Sequence, residues 1–577
     1  PNLFFMLLIS SIAAWILMSP NELYNFSKSL VSTQFFASNI YFWHSTDYFA
    51  LDANTNPLLH TWSLAVEEQF YLFFPLFLVV FWRRTTKKTQ IYIFTAIALI
   101  SFSISSYLSK EFHSANFFLS PSRIWELLIG SLLAYYYFES NNKKNNQYDC
   151  YLSFVGLLFI LVPIFIYNET YPFPSVYALA PTLGVALIIA FAKENIIARI
   201  LGHKYLVGIG LLSYSLYLWH FPILAFLRLK TPIGEPSNEL IILFIILIII
   251  LSIISYYYVE KPLRVIKKSL KKTYLLSLLF VIFFSSAGIA GYLNNGFPER
   301  FSDSFVYDIQ ESPKRGACHT SGNNFLKPKN ACLYPKNNNL ISWAVLGDSH
   351  MVEPAYALSN KLKESESLVH LTFAGCPPGS LKTKIPGCQA WTLEAIDYIK
   401  KNKDIANVII GYRYSYYFFG DHSSTYPELP EMNLAKKLFN NNFSNEQNRS
   451  ILWNSFKEMI DELLSANKTV YIMYPVPELP GDIRKSIYQF SIFNESDIYN
   501  LEKLKISDKY FLARNKLILD NLNTLEWNEK LIAIKPREVL CDYDVCSVIK
   551  DGELNYSDDN HLSVKGASRV INLIENL

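Results

Sequence analysis

The sequence predicts a two-part protein, in which a bundle of membrane-spanning helices is followed by an α/β domain with a parallel sheet. Of the 577 residues, 51% are hydrophobic, and the apolar segments are concentrated in residues 1–292, whereas most charged residues lie in 293–577. In the second part, short apolar strands alternate with amphipathic helices, which is typical of a parallel sheet covered by helices on both faces. The net charge of only +3 argues against nucleic acid as a partner.

Nine apolar segments in the first part are candidate membrane spans, each of which needs roughly 20 apolar residues. They are Leu3–Met18, Phe70–Trp82, Ile91–Leu108, Ile124–Phe138, Tyr151–Tyr167, Val176–Phe191, Val207–Leu227, Leu240–Tyr258 and Leu275–Tyr292.

The charges of the connecting loops predict the orientation of these spans. Lys and Arg accumulate in cytoplasmic loops, and alternate loops carry fifteen of them, whereas the opposite loops carry about five. We therefore expect the first span to run outward and the ninth to deliver the second part to the outside. In a bacterium, this predicts a multi-pass protein of the inner membrane, in contact with the lipid bilayer, with a periplasmic C-terminal domain.

Cysteine usage is consistent with that orientation, because disulfides persist in oxidising compartments. Six of the seven cysteines lie in the second part, and Cys150 falls in a predicted cytoplasmic loop. Proximity suggests three local pairs, although six cysteines can pair in many ways. The suggested pairs are Cys318 with Cys332, Cys376 with Cys388, and Cys541 with Cys546. A zinc site is the alternative, but no CxxC with a His partner is present, and we expect no metal.

Four clusters of polar residues lie in or beside the apolar segments, where ionisable groups are costly and usually functional. They contain His60 with Glu67, Glu68 and Gln69; Arg123 with Glu126; Ser213–Pro222 with His220; and Glu260 with Arg264. Any one cluster alone could be an interfacial charge or part of an aromatic belt. Four together predict a polar cavity in the bundle.

At these residues the sequence resembles the membrane acyltransferase-3 family, integral-membrane O-acyltransferases that modify bacterial surface glycans. The resemblance is carried by FASNIYFW, PLLHTWSLAVEEQFYLFFPL, SRIWELLIGSLLA, LLSYSLYLWHFPILAF and YYYVEKPLR. It implies a bundle that takes an acyl group, usually acetyl from cytoplasmic acetyl-CoA, and presents it at the outer face without a tightly bound cofactor. The polar acyl pathway that it implies consists of His60, Glu67, Glu68, Arg123, Glu126, His220, Glu260 and Arg264.

The N-terminus departs from the pattern of that family. Its members open with a cytoplasmic Arg-containing stretch and a span that ends in a His, followed by a Gly- and Phe-rich span, whereas this sequence begins at Pro1 on what resembles the third span. We therefore expect an N-terminally truncated membrane domain over 1–292, a linker with a disulfide over 293–340 and a soluble domain over 341–577. If the chain is truly short, its membrane transfer step is expected to be inactive.

Two motifs in the second part predict a nucleophilic serine. The predicted strands are Ser342–Leu346, Val369–Phe373, Val408–Gly411, Val470–Tyr474 and Leu531–Ile534. Ser349 follows the first strand, and the carboxyl ends of parallel strands are where active residues belong. A serine hydroxyl needs a base, for which His561 is the best candidate, with Asp558 three residues earlier to orient its imidazole. The segment of Ser349 alone, or that of Asp558 and His561 alone, is more often an ordinary turn before a helix, but the two together favour catalysis.

The strings GDSH and DDNHLS, in this order, resemble the SGNH hydrolase fold, a flavodoxin-like three-layer fold, in the variant fused to acyltransferase-3 domains. The resemblance implies Ser349 as nucleophile, His561 as base and Asp558 as orienting acid. Phe373–Pro378 resembles the second block of that fold, so the backbone N–H groups of Gly375 and Ser349 would form the oxyanion hole. The third-block strand lacks the usual Asn, and whether Arg413 substitutes for it is open.

These features predict an O-acyltransferase that moves an acyl group, acetyl above all, across the inner membrane and onto hydroxyls of a glycan through an acyl-serine. The expected acceptor is lipopolysaccharide O-antigen, lipooligosaccharide, another polysaccharide or peptidoglycan. One alternative is a membrane-tethered carbohydrate esterase, which would need only one anchor. Another is a glycan or lipid transporter with a soluble binding module, which would be expected to contain internal repeats.

Overall fold

The computed structural model describes most of the chain in two compact units. The first consists of Pro1–Lys230 and Pro236–Pro298, and the second contains Glu299–Leu577. The described residues are 1–45, 55–82, 85–139, 147–168, 171–231, 236–265, 270–300, 311–334, 340–421, 426, 428–429, 438–439, 443–484 and 504–574.

The first unit is built of helices. They are α1 (Asn2–Leu17), α2 (Pro20–Gln34), α3 (Ser38–Ser45), α4 (Thr61–Trp82), α5 (Lys87–Glu111), α6 (His113–Phe118), α7 (Ile124–Glu139), α8 (Gln147–Ile166), α9 (Val176–Phe191), α10 (Ile196–Leu201), α11 (Lys204–Leu229), α12 (Asn238–Ile254), α13 (Lys261–Val265) and α14 (Leu270–Leu293). A π-helix over Ser255–Glu260 joins α12 to α13.

Six helices within the described part of the chain are long and apolar enough to cross a membrane. They are α4, α5, α8, α11, α12 with its continuation to Leu263, and α14. The other three predicted spans are also helical, but α1, α7 and α9 are shorter apolar helices. The prediction was wrong about the start of the second span, because α4 begins at Thr61 rather than Phe70. The residues between these points contain good helix formers and no proline, so the polar segment is helical too.

Helix α2 was not predicted, because its amphipathic sequence lacks a long apolar run. It begins with a capping box, in which the Ser19 hydroxyl accepts the backbone N–H of Glu22 at 3.3 Å and the Glu22 carboxylate accepts that of Ser19 at 2.8 Å. Its buried side chains Leu23, Phe26 and Leu30 join the apolar core of the first unit.

The second unit contains a seven-stranded sheet and two small ones. Its strands are β1 (His319–Thr320), β2 (Cys332–Tyr334), β3 (Leu340–Gly347), β4 (Glu366–Phe373), β5 (Asn407–Gly411), β6 (Thr469–Met473), β7 (Ile506–Ser507), β8 (Leu531–Ile534), β9 (Cys541–Asp542), β10 (Val545–Cys546), β11 (Ile549–Lys550) and β12 (Glu553–Leu554). The large sheet has the order β1-β4-β3-β5-β6-β8, and all of these pairs are parallel, whereas β2 is antiparallel to β4. All five predicted strands are confirmed within a few residues.

Helices cover both faces of this sheet, as the predicted three-layer fold requires. They are α15 (Arg315–Cys318), α16 (Val352–Ser359), α17 (Cys388–Lys401), α18 (Tyr414–Phe419), α19 (Asn445–Ser465), α20 (Asp508–Leu522), α21 (Arg537–Leu540) and α22 (Val564–Ile571). Helices α17, α19 and α20 pack in one core and α16 and α22 in the other. Successive residues of a strand point to opposite faces; thus Leu346 of β3 joins the first core and Val345 the second.

The second unit contains three disulfides, and they join the pairs that proximity suggested. They are Cys318–Cys332, Cys376–Cys388 and Cys541–Cys546, whereas Cys150 is the one free cysteine among the described residues.

A pair of glycines shapes the carboxyl end of the central strands. Gly347 ends β3 opposite Gly411, which ends β5. A Cβ atom on Gly347 would collide with the carbonyl oxygen of Gly411 and with the side chain of Met351. The two strands can therefore approach each other here only without side chains, and the chain turns directly into the segment that carries Ser349.

Candidate active site

Ser349 opens a short helix at the carboxyl edge of the sheet. It is the first residue of a 3₁₀ turn over Ser349–Met351 that leads into α16. Asp348 caps the turn, because its Oδ1 accepts the backbone N–H of His350 at 2.9 Å. Ser349 thus lies at the edge where the sequence predicted active residues.

The structure brings Ser349, His561 and Asp558 together although 212 residues separate the serine from the histidine. The distance from Ser349 Oγ to His561 Nε2 is 2.8 Å, and that from His561 Nδ1 to Asp558 Oδ2 is 2.7 Å. The other carboxylate oxygen, Oδ1, accepts the backbone N–H groups of Asn560 at 2.8 Å and of His561 at 2.6 Å. A tight loop before α22 therefore holds the carboxylate against the imidazole, and the imidazole lies within hydrogen-bond distance of the Ser349 hydroxyl.

The charges of this pair keep Asp558 ionised and make His561 a stronger base. Burial would raise the pKa of Asp558, but the neighbouring His561 and its hydrogen bonds hold that pKa well below its usual range. Burial would lower the pKa of His561, but Asp558 raises it above its usual value. Since a base must be neutral to accept a proton, His561 is suited to this task above its raised pKa.

Asp348 has a different environment and serves the turn. Its side chain is 1% exposed, and its Oδ2 accepts the Tyr417 hydroxyl and the backbone N–H of Arg413, both at 2.9 Å. Burial would raise the pKa of Asp348, but His350 and the hydrogen bonds keep it lowered. These contacts hold the turn of Ser349 against the end of β5.

Two backbone N–H groups at this edge of the sheet are available as donors. Within the described part of the chain, the N–H groups of Ser349 and Gly375 donate no hydrogen bond. Gly375 follows β4 and has a φ of +66°, which glycine adopts without strain. Thr372 of β4 is paired with Gly347 of β3, so Gly375 and Ser349 follow neighbouring positions of adjacent strands. The Cys376–Cys388 disulfide ties the residue after Gly375 to α17.

The guanidinium of Arg413 is engaged by carboxylates. Its Nε donates to Glu478 Oε1 at 2.6 Å and its Nη2 to Asp421 Oδ1 at 3.1 Å. Glu478 is 3% exposed and also accepts Arg514 Nε at 2.7 Å. The residue after Glu478 donates its backbone N–H to the Asp559 carbonyl at 2.6 Å, so the segment after β6 braces the loop of Asp558. Sequence reasoning missed Glu478 and Tyr417, because no motif marks them.

Sequence reasoning also missed His350. Its ring lies 4.4 Å from that of His561, centroid to centroid, with an interplanar angle of 33°. The residue is 6% exposed. Its position directly after Ser349 in GDSH was the signal that could have singled it out.

The described residues contain one group with possible metal-ligand spacing, which consists of Asp508, Cys541 and Cys546. The two cysteines are joined in a disulfide, and the Asp508 carboxylate pairs with Arg537 at 2.5 and 2.6 Å. A thiolate ligand must be free, so this group does not fit a metal ion.

In the first unit, the structure brings His60 and His220 together. His60 is 4% exposed and precedes α4, and its ring centroid lies 5.8 Å from that of His220 on α11. The Tyr217 hydroxyl donates to the His60 carbonyl at 2.6 Å and is hydrogen-bonded to the Ser63 hydroxyl. Residues from two of the four predicted clusters therefore form one contact.

Glu260 belongs to a separate buried group. Its Oε2 accepts Asn2 Nδ2 at 3.0 Å and the Ser215 hydroxyl at 2.9 Å. Asn2 Nδ2 also donates to the Ser215 hydroxyl at 2.8 Å, and Asn2 Oδ1 accepts the Ser255 hydroxyl. This group links α1 and α11 to the π-helix.

The remaining predicted pathway residues lie elsewhere. Arg123 pairs with Glu126 at 3.0 Å, and its guanidinium lies 5.1 Å from the Trp62 ring centroid. On α4, Glu67 is half-buried and Glu68 is exposed. The side chain of Arg264 lies outside the described residues. Among the described side chains, three groups are in contact: His60 with His220, Arg123 with Glu126, and Glu260 with Asn2 and Ser215.

The fold of the two units agrees with the comparison with protein families. The acyltransferase domain family matches residues 2–260, and the SGNH domain fused to such domains matches residues 317–576. The chain belongs to this family of acyltransferase-3 proteins that carry an SGNH domain. Family membership places it among the acyltransferases and makes it a membrane protein, as predicted.

Particular relatives are similar over parts of their length. An "Uncharacterized protein" of Haemophilus influenzae is 35% identical over 198 residues, which is 33% of this chain and 80% of that protein. A Bacillus subtilis protein named "Putative peptidoglycan O-acetyltransferase YrhL" is 26% identical over 277 residues, which is 45% of this chain and 43% of that protein. The match to this named acetyltransferase thus spans less than half of its length.

Among solved structures, the periplasmic domain of a lipopolysaccharide acetyltransferase of Salmonella ser. Paratyphi A is similar. It has 15% sequence identity and a TM-score of 0.28, and the match covers 45% of this chain and 90% of that domain. At that TM-score the likeness supports no conclusion about this chain.

Proposed function

We propose that this protein transfers an acyl group, acetyl above all, onto a hydroxyl of a cell-wall or surface glycan, with Ser349 as the covalent carrier. The observation that carries this proposal is the alignment of Ser349 Oγ, His561 and Asp558 at 2.8 and 2.7 Å in a chain of the acyltransferase family. A hydroxyl within hydrogen-bond reach of an oriented imidazole is the arrangement that nucleophilic acyl transfer requires.

In the first step, Ser349 takes the acyl group from its donor. The Oγ atom forms a bond to the acyl carbonyl carbon while His561 Nε2 accepts the hydroxyl proton, and Asp558 stabilises the imidazolium. The carbonyl oxygen becomes an oxyanion, which the backbone N–H groups of Ser349 and Gly375 would bind. The bond from the carbonyl carbon to the leaving atom of the donor then breaks, and His561 returns the proton to that atom.

In the second step, the sugar hydroxyl takes the place of the donor. Its oxygen attacks the carbonyl carbon of the acyl-Ser349 ester and passes its proton to His561. The bond between Ser349 Oγ and the carbonyl carbon breaks, and Oγ recovers the proton. One imidazole therefore serves both steps, and no residue beyond the three is needed for proton transfer.

The first unit would supply the acyl group from the other side of the membrane. Acetyl-CoA, the expected donor, is cytoplasmic, whereas surface glycans are assembled outside. The groups of His60 with His220, Arg123 with Glu126, and Glu260 with Asn2 lie in or beside apolar helices, where polar residues often line substrate pathways. The inner membrane, with a periplasmic second unit, is the location that the loop charges support.

The acceptor is proposed as a glycan because of what the relatives are called. The Bacillus relative is named for peptidoglycan, and O-antigen, lipooligosaccharide and other polysaccharides offer the same chemistry, a secondary or primary hydroxyl.

The test is the Ser349→Ala substitution in cells that produce the protein, with mass spectrometry of the purified glycans. We expect acetylation to be lost while the protein stays in the membrane. Ser359→Ala is a matched control, because Ser359 ends α16, which follows the turn of Ser349, and its hydroxyl donates to the Tyr356 carbonyl. Unchanged acetylation in the Ser349→Ala cells would refute Ser349 as carrier.

The same experiment distinguishes a transferase from an esterase. A membrane-tethered esterase would remove acetyl groups, so Ser349→Ala would raise glycan acetylation instead of abolishing it. The six apolar helices favour the transferase, because an esterase needs one anchor.

A further inference from the structure

The ring of His350 packs against the imidazole of His561, the proposed base. The two rings are 4.4 Å apart between centroids and tilted by 33°, so His350 presents much of its aromatic face to His561. His350 is fixed by its backbone, because its N–H donates to Asp348 at 2.9 Å. Ser349 Oγ lies 2.8 Å from Nε2, at the edge of the His561 ring.

The two ring nitrogens of His350 form no hydrogen bond within the described part of the chain. Both are buried without a hydrogen-bond partner, and Nδ1 lies 3.5 Å from Asp348 Oδ1, beyond the usual hydrogen-bond distance. Leaving buried polar atoms unpaired costs free energy, whereas an aliphatic side chain would fill the space without that cost. The ring is therefore expected to contribute something that an aliphatic side chain does not.

We propose that His350 is a positioning residue that presents a neutral aromatic face to His561 and stabilises the imidazolium formed when His561 takes a proton. This inference rests on the proposed function. A cation within about 6 Å of an aromatic centroid is attracted by the ring, and the two centroids satisfy that distance. The contact gains strength only when His561 becomes charged, so it favours the transition state over the resting enzyme.

The surroundings keep His350 neutral, as this role requires. Burial and the neighbouring His561 lower the pKa of His350, and Asp348 opposes them only in part. His561 in turn is near Asp558 and Glu353, which favour its charged form, and near Arg315, which disfavours it. One imidazole can thus become charged while the other stays neutral.

The experiment measures how fast Ser349 reacts with a fluorophosphonate probe in the purified full-length protein in detergent. Ser349 Oγ forms a bond to phosphorus, fluoride leaves, and His561 takes the hydroxyl proton, so the rate reports on the serine and its base without needing the glycan. The variants are His350→Leu and His350→Gln, which remove the aromatic ring, and His350→Phe, which retains one. His370→Leu is a matched control, because His370 is also buried, at 1% exposure, and its ring nitrogens are hydrogen-bonded to Tyr334 and Thr372.

We expect the rate constant to fall about 2- to 30-fold in His350→Leu and His350→Gln, to stay within about twofold in His350→Phe and to be unchanged in His370→Leu. The rescue by Phe separates an aromatic contact from mere loss of packing, because Leu also fills space. Two results would overturn the inference: a rate in both Leu and Gln variants equal to that of the unmodified protein, or a Phe variant as slow as they are. Absent labelling, or labelling that persists in Ser349→Ala, would overturn the proposed function and this inference with it.

Discussion

The two units organise their polar side chains in different ways. In the second unit, Ser349, His561 and Asp558 are joined by consecutive hydrogen bonds of 2.8 and 2.7 Å. In the first unit, the ring centroids of His60 and His220 lie 5.8 Å apart, and Glu260 is hydrogen-bonded to Asn2 and Ser215.

This difference matches two kinds of task. Bond making at one atom requires donors and acceptors that are already aligned, because reorganisation during the reaction would add to the barrier. Passage of a group through a bilayer requires polar positions spaced along a path, because each needs to hold the group only briefly. The comparison therefore predicts that substitutions in the second unit abolish chemistry at Ser349, whereas those in the first unit leave that chemistry intact.

The largest effect is expected from Asp558→Asn. The asparagine keeps the size of the side chain but cannot hold the imidazole in the tautomer that accepts the serine proton. In other Ser-His-Asp enzymes this change lowers kcat about 10⁴-fold. The rate of fluorophosphonate labelling of Ser349 measures the effect. Asp559→Asn is the control, since Asp559 is the neighbouring carboxylate and its Oδ1 accepts Asn560 Nδ2 at 2.9 Å, and an equal loss in this control would contradict the assignment of Asp558.

The next largest effect is expected on stability, from Glu478→Gln. This change leaves Arg413 and Arg514 buried without their shared carboxylate, and removing one partner of a buried pair costs about 3–5 kcal/mol. Thermal unfolding of the second unit, followed by near-UV circular dichroism, checks this. Glu462→Gln is the control, because its pair with Lys400 is half-exposed and such pairs contribute about 0–1 kcal/mol. If the unfolding temperature fell no further than in the control, the network around Arg413 would not stabilise the second unit.

Removal of the Cys376–Cys388 disulfide is expected to destabilise the second unit by about 3 kcal/mol. The paired change Cys376→Ser with Cys388→Ser releases a loop of sequence separation 12. Removing Cys541–Cys546, with a separation of 5, should cost less, because a shorter loop constrains the unfolded chain less. We also expect slower labelling of Ser349 in the first variant only, because Gly375 is next to Cys376. Slower labelling in the Cys541–Cys546 variant than in the Cys376–Cys388 variant would show that the Cys376–Cys388 disulfide does not position the N–H of Gly375.

In the first unit, His60→Ala is expected to lower glycan acetylation at least about tenfold while labelling of Ser349 keeps its rate. This result would make the comparison sharper, because it separates delivery of the acyl group from its transfer. His113→Ala is a control, since His113 opens α6 and is exposed. If His60→Ala also slowed labelling of Ser349, the two tasks would not be independent.

The smallest effect is expected from pH. Asp558 raises the pKa of His561 above its usual value, so labelling of Ser349 should decline as the pH falls through a midpoint above about 6.5. The sign for stability is opposite: a raised histidine pKa contributes stability that is present below about pH 6.5 and is lost as the pH rises through the raised value. In Asp558→Asn the midpoint of the residual rate should shift to lower pH. A midpoint unaffected by that substitution would contradict the pairing.

The sequence predicted the parts of the site that depend on local chain geometry. Asp558 and His561 are three residues apart, and a loop closed by the hydrogen bond from the His561 N–H to Asp558 is sufficient to pair them. The five strands of the large sheet were predicted for a similar reason, since each is a short apolar run between polar segments.

The parts that sequence reasoning missed depend on contacts between distant segments. Glu478 meets Arg413 across 65 residues and Arg514 across 36, and nothing in its neighbourhood marks it as buried. In the first unit, charge at membrane depth singled out Glu67 and Glu68 together with His60, but helical geometry turns Glu68 outward on α4. Spacing along the chain does not determine which face of a long helix packs against its neighbours.

The glycine pair at the ends of β3 and β5 has a consequence for laboratory evolution. Because no side chain fits at Gly347 opposite Gly411, a mutant library that seeks new acceptors has to keep both codons fixed. Its diversity belongs at positions that neither hold the turn of Ser349 nor brace the loop of Asp558. Selection for broader acceptor range would then sample the rim of the site while the strand ends that aim the nucleophile stay the same.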